Sequence, residues 1–339
     1  MLLLAFGSNG SGQLGIGHED DVNIPTACLG IPSNVTIRKI EGGGNHAALL
    51  TDDGRVFLSG KGQYGDVRLD GTEYTQFREP PELSQAKWKD VACGWSFTIL
   101  VREDGRVFGF GSARSGELGP SVTKQTSTPL EIDPSLQNII AVSCGWRHVV
   151  ALDNEGRVYG WGWGRHGQLK QAPEDKRAIF TPFVIPTDRP IKKIACGHLH
   201  TVLLDDQARI SVFGSNKFKQ LEPDHASVTG AINIYAGWHH SVAHVPVEDS
   251  NPRGHFVGWG RRDYHQSIVL SGDLFSCGSE HNLIVQDNIL RAYGWNEHGN
   301  CTTDKEAVFA QRVSLPPGRI TLVSGGCATS WVAISPSSS

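Results

Sequence analysis

Short apolar runs, each about the length of one strand, recur along the chain between polar stretches, and each run stops at a glycine turn. Ala47 to Leu50 and Val56 to Leu58 flank Asp53-Gly54, and the same acidic-Gly pair recurs at Asp104-Gly105 and Glu155-Gly156. Such short apolar runs predict strands, and the acidic-Gly pair between them predicts a tight hairpin because Gly accepts the positive φ the turn demands. The hairpins end in aromatic-Gly at Phe110-Gly111, Trp161-Gly162, Phe213-Gly214, Trp259-Gly260 and Tyr293-Gly294, with Ser59-Gly60 as a weak copy. A loop then leads to Gln13-Leu14, Glu117-Leu118, Gln168-Leu169 and Gln220-Leu221. A helical period of 3.6 is nowhere sustained.

Ahead of each hairpin stands a small residue, a Gly and, three positions later, usually a His. The Gly of this segment falls at 43, 94, 145, 197, 237, 278 and 326, with spacings of 51, 51, 52, 40, 41 and 48. A unit of that size built from short strands is one four-stranded propeller blade, so seven copies predict an all-β, seven-bladed β-propeller. Residues 5–14 read as the second half of a repeat and residues 325–334 as the first half. One blade closed by N- and C-terminal strands repairs both and removes two exposed sheet edges. The expected domain is therefore a single propeller over 1–334, with 335–339 as a disordered tail.

Composition narrows the class. Of 339 residues 40 are Gly and 9 are Trp, and 39% are hydrophobic, which is enough apolar surface for a folded core. The formal net charge of −4 gives no global field for nucleic acid or anionic membrane, so recognition must be local. The start, Met1 to Ala5, lacks the flanks and length of a signal peptide, and no apolar run approaches the ~20 residues of a membrane span. The seven Cys are odd in number and diluted over a long chain, which fits reduced thiols and a cytoplasmic protein, with the nucleus as a second compartment.

Several motifs that mimic chemistry are explained by the repeat. Gly162-Trp163-Gly164-Arg165-His166-Gly167 matches a dinucleotide fingerprint but sits at a strand-end Gly with no crossover helix to follow. Cys93, Cys144 and Cys196 share a slot that holds Gly42, Ala236 and Gly325 elsewhere, which marks a small buried position rather than a metal ligand set. His46, His148, His200, His240 and His281 share another, filled by Phe97 and Thr329 in the remaining copies. One His per blade reads as a core group whose ring nitrogen bonds neighbouring backbone. No nucleophile, base and orienting carboxylate fall together in one repeat, so no enzyme, cofactor or bound metal is expected.

The residues that break the repeat are aromatic and charged. Trp95, Trp146, His198 and Trp238 follow the repeat Gly where the chain should reach the central channel, and loops add Trp163, Arg165, His166, Asp263 and Tyr264. Interface hot spots favour Trp, Tyr and Arg. The expected partner-binding set is Trp238, His239, Arg261, Arg262, Trp295, Glu297 and His298, on the face opposite the hairpin tips Arg55 and Arg106.

The repeated small-Gly-x-x-His and aromatic-Gly segments, from Phe6-Gly7-Ser8-Asn9 to Gly326, resemble the regulator of chromosome condensation family over the whole chain. Within it, 294–301 (Gly-Trp-Asn-Glu-His-Gly-Asn-Cys) and 325–331 (Gly-Gly-Cys-Ala-Thr-Ser-Trp) resemble a fungal branch linked to Elongator. That resemblance implies a non-enzymatic heterodimer with the small CSL zinc-finger protein of diphthamide biosynthesis, which carries Zn or Fe and donates electrons. It would serve diphthamide formation on elongation factor two and Elongator-dependent modification of the tRNA wobble uridine. The alternative is nucleotide exchange or chromatin binding, as in the parent family. That alternative is disfavoured, since the sequence shows no basic N-terminal tail, no nuclear-import run of Lys/Arg and no long insertion inside a blade apart from Val245 to His255.

Overall fold

A computed structural model describes residues 1–62, 74–170, 178–246, 254–266, 269–303 and 308–336. Among them are 27 strands and no helix, hence none long and apolar enough to cross a membrane. The strands form seven antiparallel sheets arranged as blades. Blades 1 to 6 span 37–78, 88–131, 139–185, 191–214, 233–271 and 274–312. Blade 7 has the strand order Val22–Ala27, Leu2–Gly7, Thr329–Ser335, Arg319–Gly325, so the chain's two ends pair in its centre, from Leu2 opposite Ile334 to Gly7 opposite Thr329. The C-terminal strand runs through Ser335, one residue past the expected boundary, and 337–339 lie outside the described residues. Most of the Val245 to His255 insertion, 247–253, does so too.

The hairpin turns behave as the acidic-Gly pairs predict, with Gly54, Gly105 and Gly156 at φ 79°, 82° and 84°. Blade 4 uses Ala208 at φ 60° in that place. Blade 6 replaces the turn Gly by Asp287 and Asn288, at φ 52° and 61°, residue types whose side chains ease the left-handed conformation.

Blade-to-blade contacts come from the repeat residues themselves. Apolar faces of adjacent sheets interleave, as where Phe97, Ile99 and Val101 of blade 2 meet Val142, Val149 and Trp161 of blade 3. Each loop then grips the following blade. The side chains of Gln13, Glu117, Gln168, Gln220 and Gln266 accept the backbone N–H two residues earlier, at 2.6–3.0 Å, which closes the loop. Their backbone carbonyls accept Ser59 Oγ, Trp161 Nε1, Thr201 Oγ1, Trp259 Nε1 and Asn282 Nδ2 of the next blade, at 2.7–3.3 Å.

The recurrent His makes a different bond from the one expected. The partner of its Nε2 is a side chain of the next blade. His46, His148, His200, His240 and His281 meet Thr98, Thr201, Ser241, Asn282 and Ser330 through Nε2 at 2.8–3.1 Å. Because the Thr201 and Ser330 hydroxyls donate to the carbonyls of Gln168 and Asn300, they must accept from His148 and His281, whose protons are thereby placed on Nε2. Burial pushes the His148, His200 and His281 imidazoles down to about 3, so they are neutral. The repeat Gly makes room for this ring: a Cβ at Gly145 would lie 2.1 Å from His148 Cε1 and 2.4 Å from the Gly197 carbonyl.

Candidate functional site

At one mouth of the channel the turns between first and second strands are tied together by backbone. The N–H groups of Gly44, Trp95, Trp146, His198, Trp238 and Ser279 donate in turn to the carbonyls of Trp95, Trp146, His198, Trp238, Ser279 and Gly326, at 2.7–3.2 Å. This belt holds the side chains that follow the repeat Gly in fixed positions. Trp146 and Trp238 each lie 5.0 Å from His198 between ring centroids, and Trp95 lies 5.8 Å from Trp238. Arg147 covers the Trp146 ring at 4.6 Å. Burial and the nearby His239 push His198 down to about 4, leaving an uncharged ring in the aromatic cluster.

Beside that cluster opens a pocket of about 350 Å³ between blades 5, 6 and 7. Its lining includes Trp238, His239, Arg261, Trp295 and His298, which are five of the seven residues expected from sequence. Arg262 and Glu297 are exposed and do not line it. Trp295 is held from both sides. Its N–H donates to the Glu280 carbonyl at 2.9 Å, and the following Asn296 fastens the loop by accepting Cys301 N–H at 2.6 Å. His298 bonds Asp21 of blade 7 through Nδ1 at 2.8 Å, joining two loops.

The residue that sequence reasoning missed is Glu280. It is buried, and its carboxylate binds the His239 ring through Nδ1, accepts Gln266 Nε2 at 3.1 Å and lies 3.5 Å from Arg261 Nη1. The Arg261 guanidinium is also stacked, 5.1 Å from the centroids of both Phe218 and Tyr264, and bonds Asp263 at 2.8 Å. A lone acidic residue in the repeat's variable position carries no signal until the fold places it against three donors.

Among the described residues, no hydroxyl or thiol is hydrogen-bonded to this His–carboxylate pair. The His239 ring packs on Phe218 and His198, at 4.5 and 5.6 Å, and the Ser279 hydroxyl accepts the Ala328 N–H at 3.2 Å. Burial raises the Cys327 thiol to about 12. Burial likewise raises Cys144, Cys196 and Cys277 on the channel wall, and no group of three metal-binding side chains occurs among the described residues. The segment 162–167 leads from a strand into a turn, not a helix.

A family model described as an RCC1-like domain matches residues 2–332. The chain belongs to the RCC1-like family. It is 30% identical to an RCC1 repeat-containing protein of Schizosaccharomyces pombe, over 98% of this chain and 99% of that protein. It is also 30% identical to the Bos taurus secretion-regulating guanine nucleotide exchange factor, over 90% of this chain and 76% of that one. Among solved RCC1-like structures, Prp20p of Saccharomyces cerevisiae superimposes with a TM-score of 0.84 at 21% identity, covering 99% of this chain and 92% of that chain. Human WBSCR16 does so with a TM-score of 0.80 at 17% identity, covering 99% and 100%. These likenesses establish the propeller.

Proposed function

We propose that this RCC1-like propeller is a non-enzymatic protein-binding module, and that its partner seats over the pocket between Trp238 and Trp295. One convergence carries the reading. The two segments that resemble the fungal alpha-tubulin suppressor branch, also known as Elongator-linked killer-toxin-insensitivity proteins, supply Trp295, His298, Cys327 and Ala328 to the pocket lining. Rigidly held indoles beside a stacked Arg are the residue types that dominate protein interfaces. The partner in this reading is the small CSL zinc-finger protein of diphthamide biosynthesis, whose own Zn or Fe carries the electrons, bound as a heterodimer in cytoplasm and nucleus. Through it the pair would support diphthamide synthesis on elongation factor two and Elongator-dependent wobble uridine modification.

A second reading is guanine nucleotide exchange or chromatin binding. It draws on the name of the Bos taurus relative and on the Prp20p structure, whose description concerns binding to Gsp1p and histones. Affinity capture from extract separates the two. Recovery of the CSL protein, followed by a titration that Trp295→Ala weakens, supports the first reading. Recovery of a small GTPase with histones and no CSL protein overturns it.

A further inference from the structure

Blade 4 alone has three strands, and its outermost, Ile210–Gly214, has no partner on its outer side among the described residues. After Gly214 the chain turns through 224–231, where Val228 and Ala231 pack on Ile210 but form no strand. Asp205 N–H bonds Arg209 O at 3.0 Å and Ser215 N–H bonds Leu199 O at 2.8 Å. That phase turns the N–H and C=O of Ile210 and Val212 away from the blade. In blades 2 and 6 the carbonyls at the place of Ile210, those of Val107 and Leu290, accept Ile132 N–H and Val313 N–H at 2.9 Å. The edge is thus built to receive a strand that the described residues do not supply.

A groove of about 540 Å³ lies along this edge, with Ile191, Leu203, Phe213 and Val228 in its walls. Its rim leans positive. Lys170 and Arg209 are exposed, and Lys170 spends its ammonium on the Pro186 carbonyl at 2.7 Å rather than on an acid. The groove is lined by three cations, Lys170, Arg189 and Arg209, against two carboxylates, Asp188 and Asp205, and Asp205 already accepts the N–H groups of Gln207 and Arg209 at 2.8 and 2.9 Å.

We infer that blade 4 binds an extended acidic-flanked segment of a partner protein as its fourth strand, main chain to main chain, with alternate apolar side chains in the groove. This site is separate from the Trp238–Trp295 pocket and does not depend on the reading given for it. A second copy of the chain fits poorly. Two edges meeting along five residues would bury far less than the ~1,200 to 2,000 Å² of a stable interface, whereas a peptide can also fill the groove.

The test uses the full chain and two synthetic ten-residue peptides with an alternating Val/Thr core, one flanked by Glu and one by Lys. The Glu-flanked peptide should bind at least tenfold more tightly and slow hydrogen exchange at the Ile210 and Val212 amides. Val212→Pro, which removes an outward N–H, should abolish binding with unchanged circular dichroism. Arg209→Glu, an exposed change that keeps the fold, should reverse the flank preference and stands in if the proline variant unfolds. Equal binding of both peptides, absence of protection at Ile210 and Val212, or a concentration-dependent dimer that protects those amides would overturn the proposal.

Discussion

His239 is joined through Nδ1 to the buried carboxylate of Glu280, across the seam between blades 5 and 6. The same carboxylate holds Gln266 and approaches Arg261, so one acidic group orients two side chains of the pocket and the loop residue Gln266 behind them. Glu280→Ala should leave buried donors unpaired, lowering stability by about 1 to 3 kcal/mol. Affinity for the partner should fall about tenfold as His239 and Arg261 lose their positions. Thermal unfolding and calorimetric titration measure the two effects separately.

Trp238→Ala and Trp295→Ala should each weaken partner binding at least about thirty-fold, the scale of an interface hot spot at roughly 2 kcal/mol or more. Arg262→Ala and Glu297→Ala, at exposed positions outside the pocket, should change it less than about threefold. Arg55 and Arg106, each paired with a glutamate at Glu79 and Glu131, belong to the hairpins of the other face and serve as controls. Loss of binding at those two arginines, with none at the tryptophans, would place the partner on the other side of the ring.

The buried histidines make the ring sensitive to acid. His148, His200 and His281 are held near 3, below the ~6.5 of an unfolded chain, so the unfolded state takes up more protons as pH falls. Their contribution to stability is complete above about pH 6.5. Below it, each ring costs about 1.4 kcal/mol per pH unit until its folded value near 3 is reached. Denaturant midpoints between pH 7 and 4.5 should fall steeply, and His148→Phe should flatten the slope.

The same pairs predict a compensation. Blade 2 carries Phe97 in place of His, and the next blade carries buried Val149 where a hydroxyl would stand; blade 7 carries Thr329, and the next blade Ala47. His148→Phe combined with Thr201→Val should therefore be more stable than the sum of the single changes by about 1 kcal/mol or more. A double-mutant cycle in urea measures it, and strict additivity would contradict the coupling.

Ring closure should be costly to undo. Phe6 is fully buried on the N-terminal strand of the blade that both chain ends share, so Phe6→Ala should destabilise by about 3 to 5 kcal/mol. Unchanged guanidinium unfolding would count against closure through this strand.

Much of this was legible in one chain because a repeat states each physical requirement seven times. The blade count, the half-repeats at the two ends, the small slot of the cysteines and the buried place of the histidines all follow from residues that recur. Even the partner of each histidine was present, since the residue after the histidine position in the next repeat switches between polar and apolar along with it. What recurrence could not supply was everything that occurs once. Glu280 became a keystone only when the ring brought His239, Gln266 and Arg261 from neighbouring loops to a single buried carboxylate. Arg262 and Glu297, chosen by residue type, fell outside the pocket because composition does not say which side of a turn faces it. The missing fourth strand of blade 4 was hidden for the same reason. A strand edge is open or covered according to what lies beside it in space, and that is decided by tertiary packing.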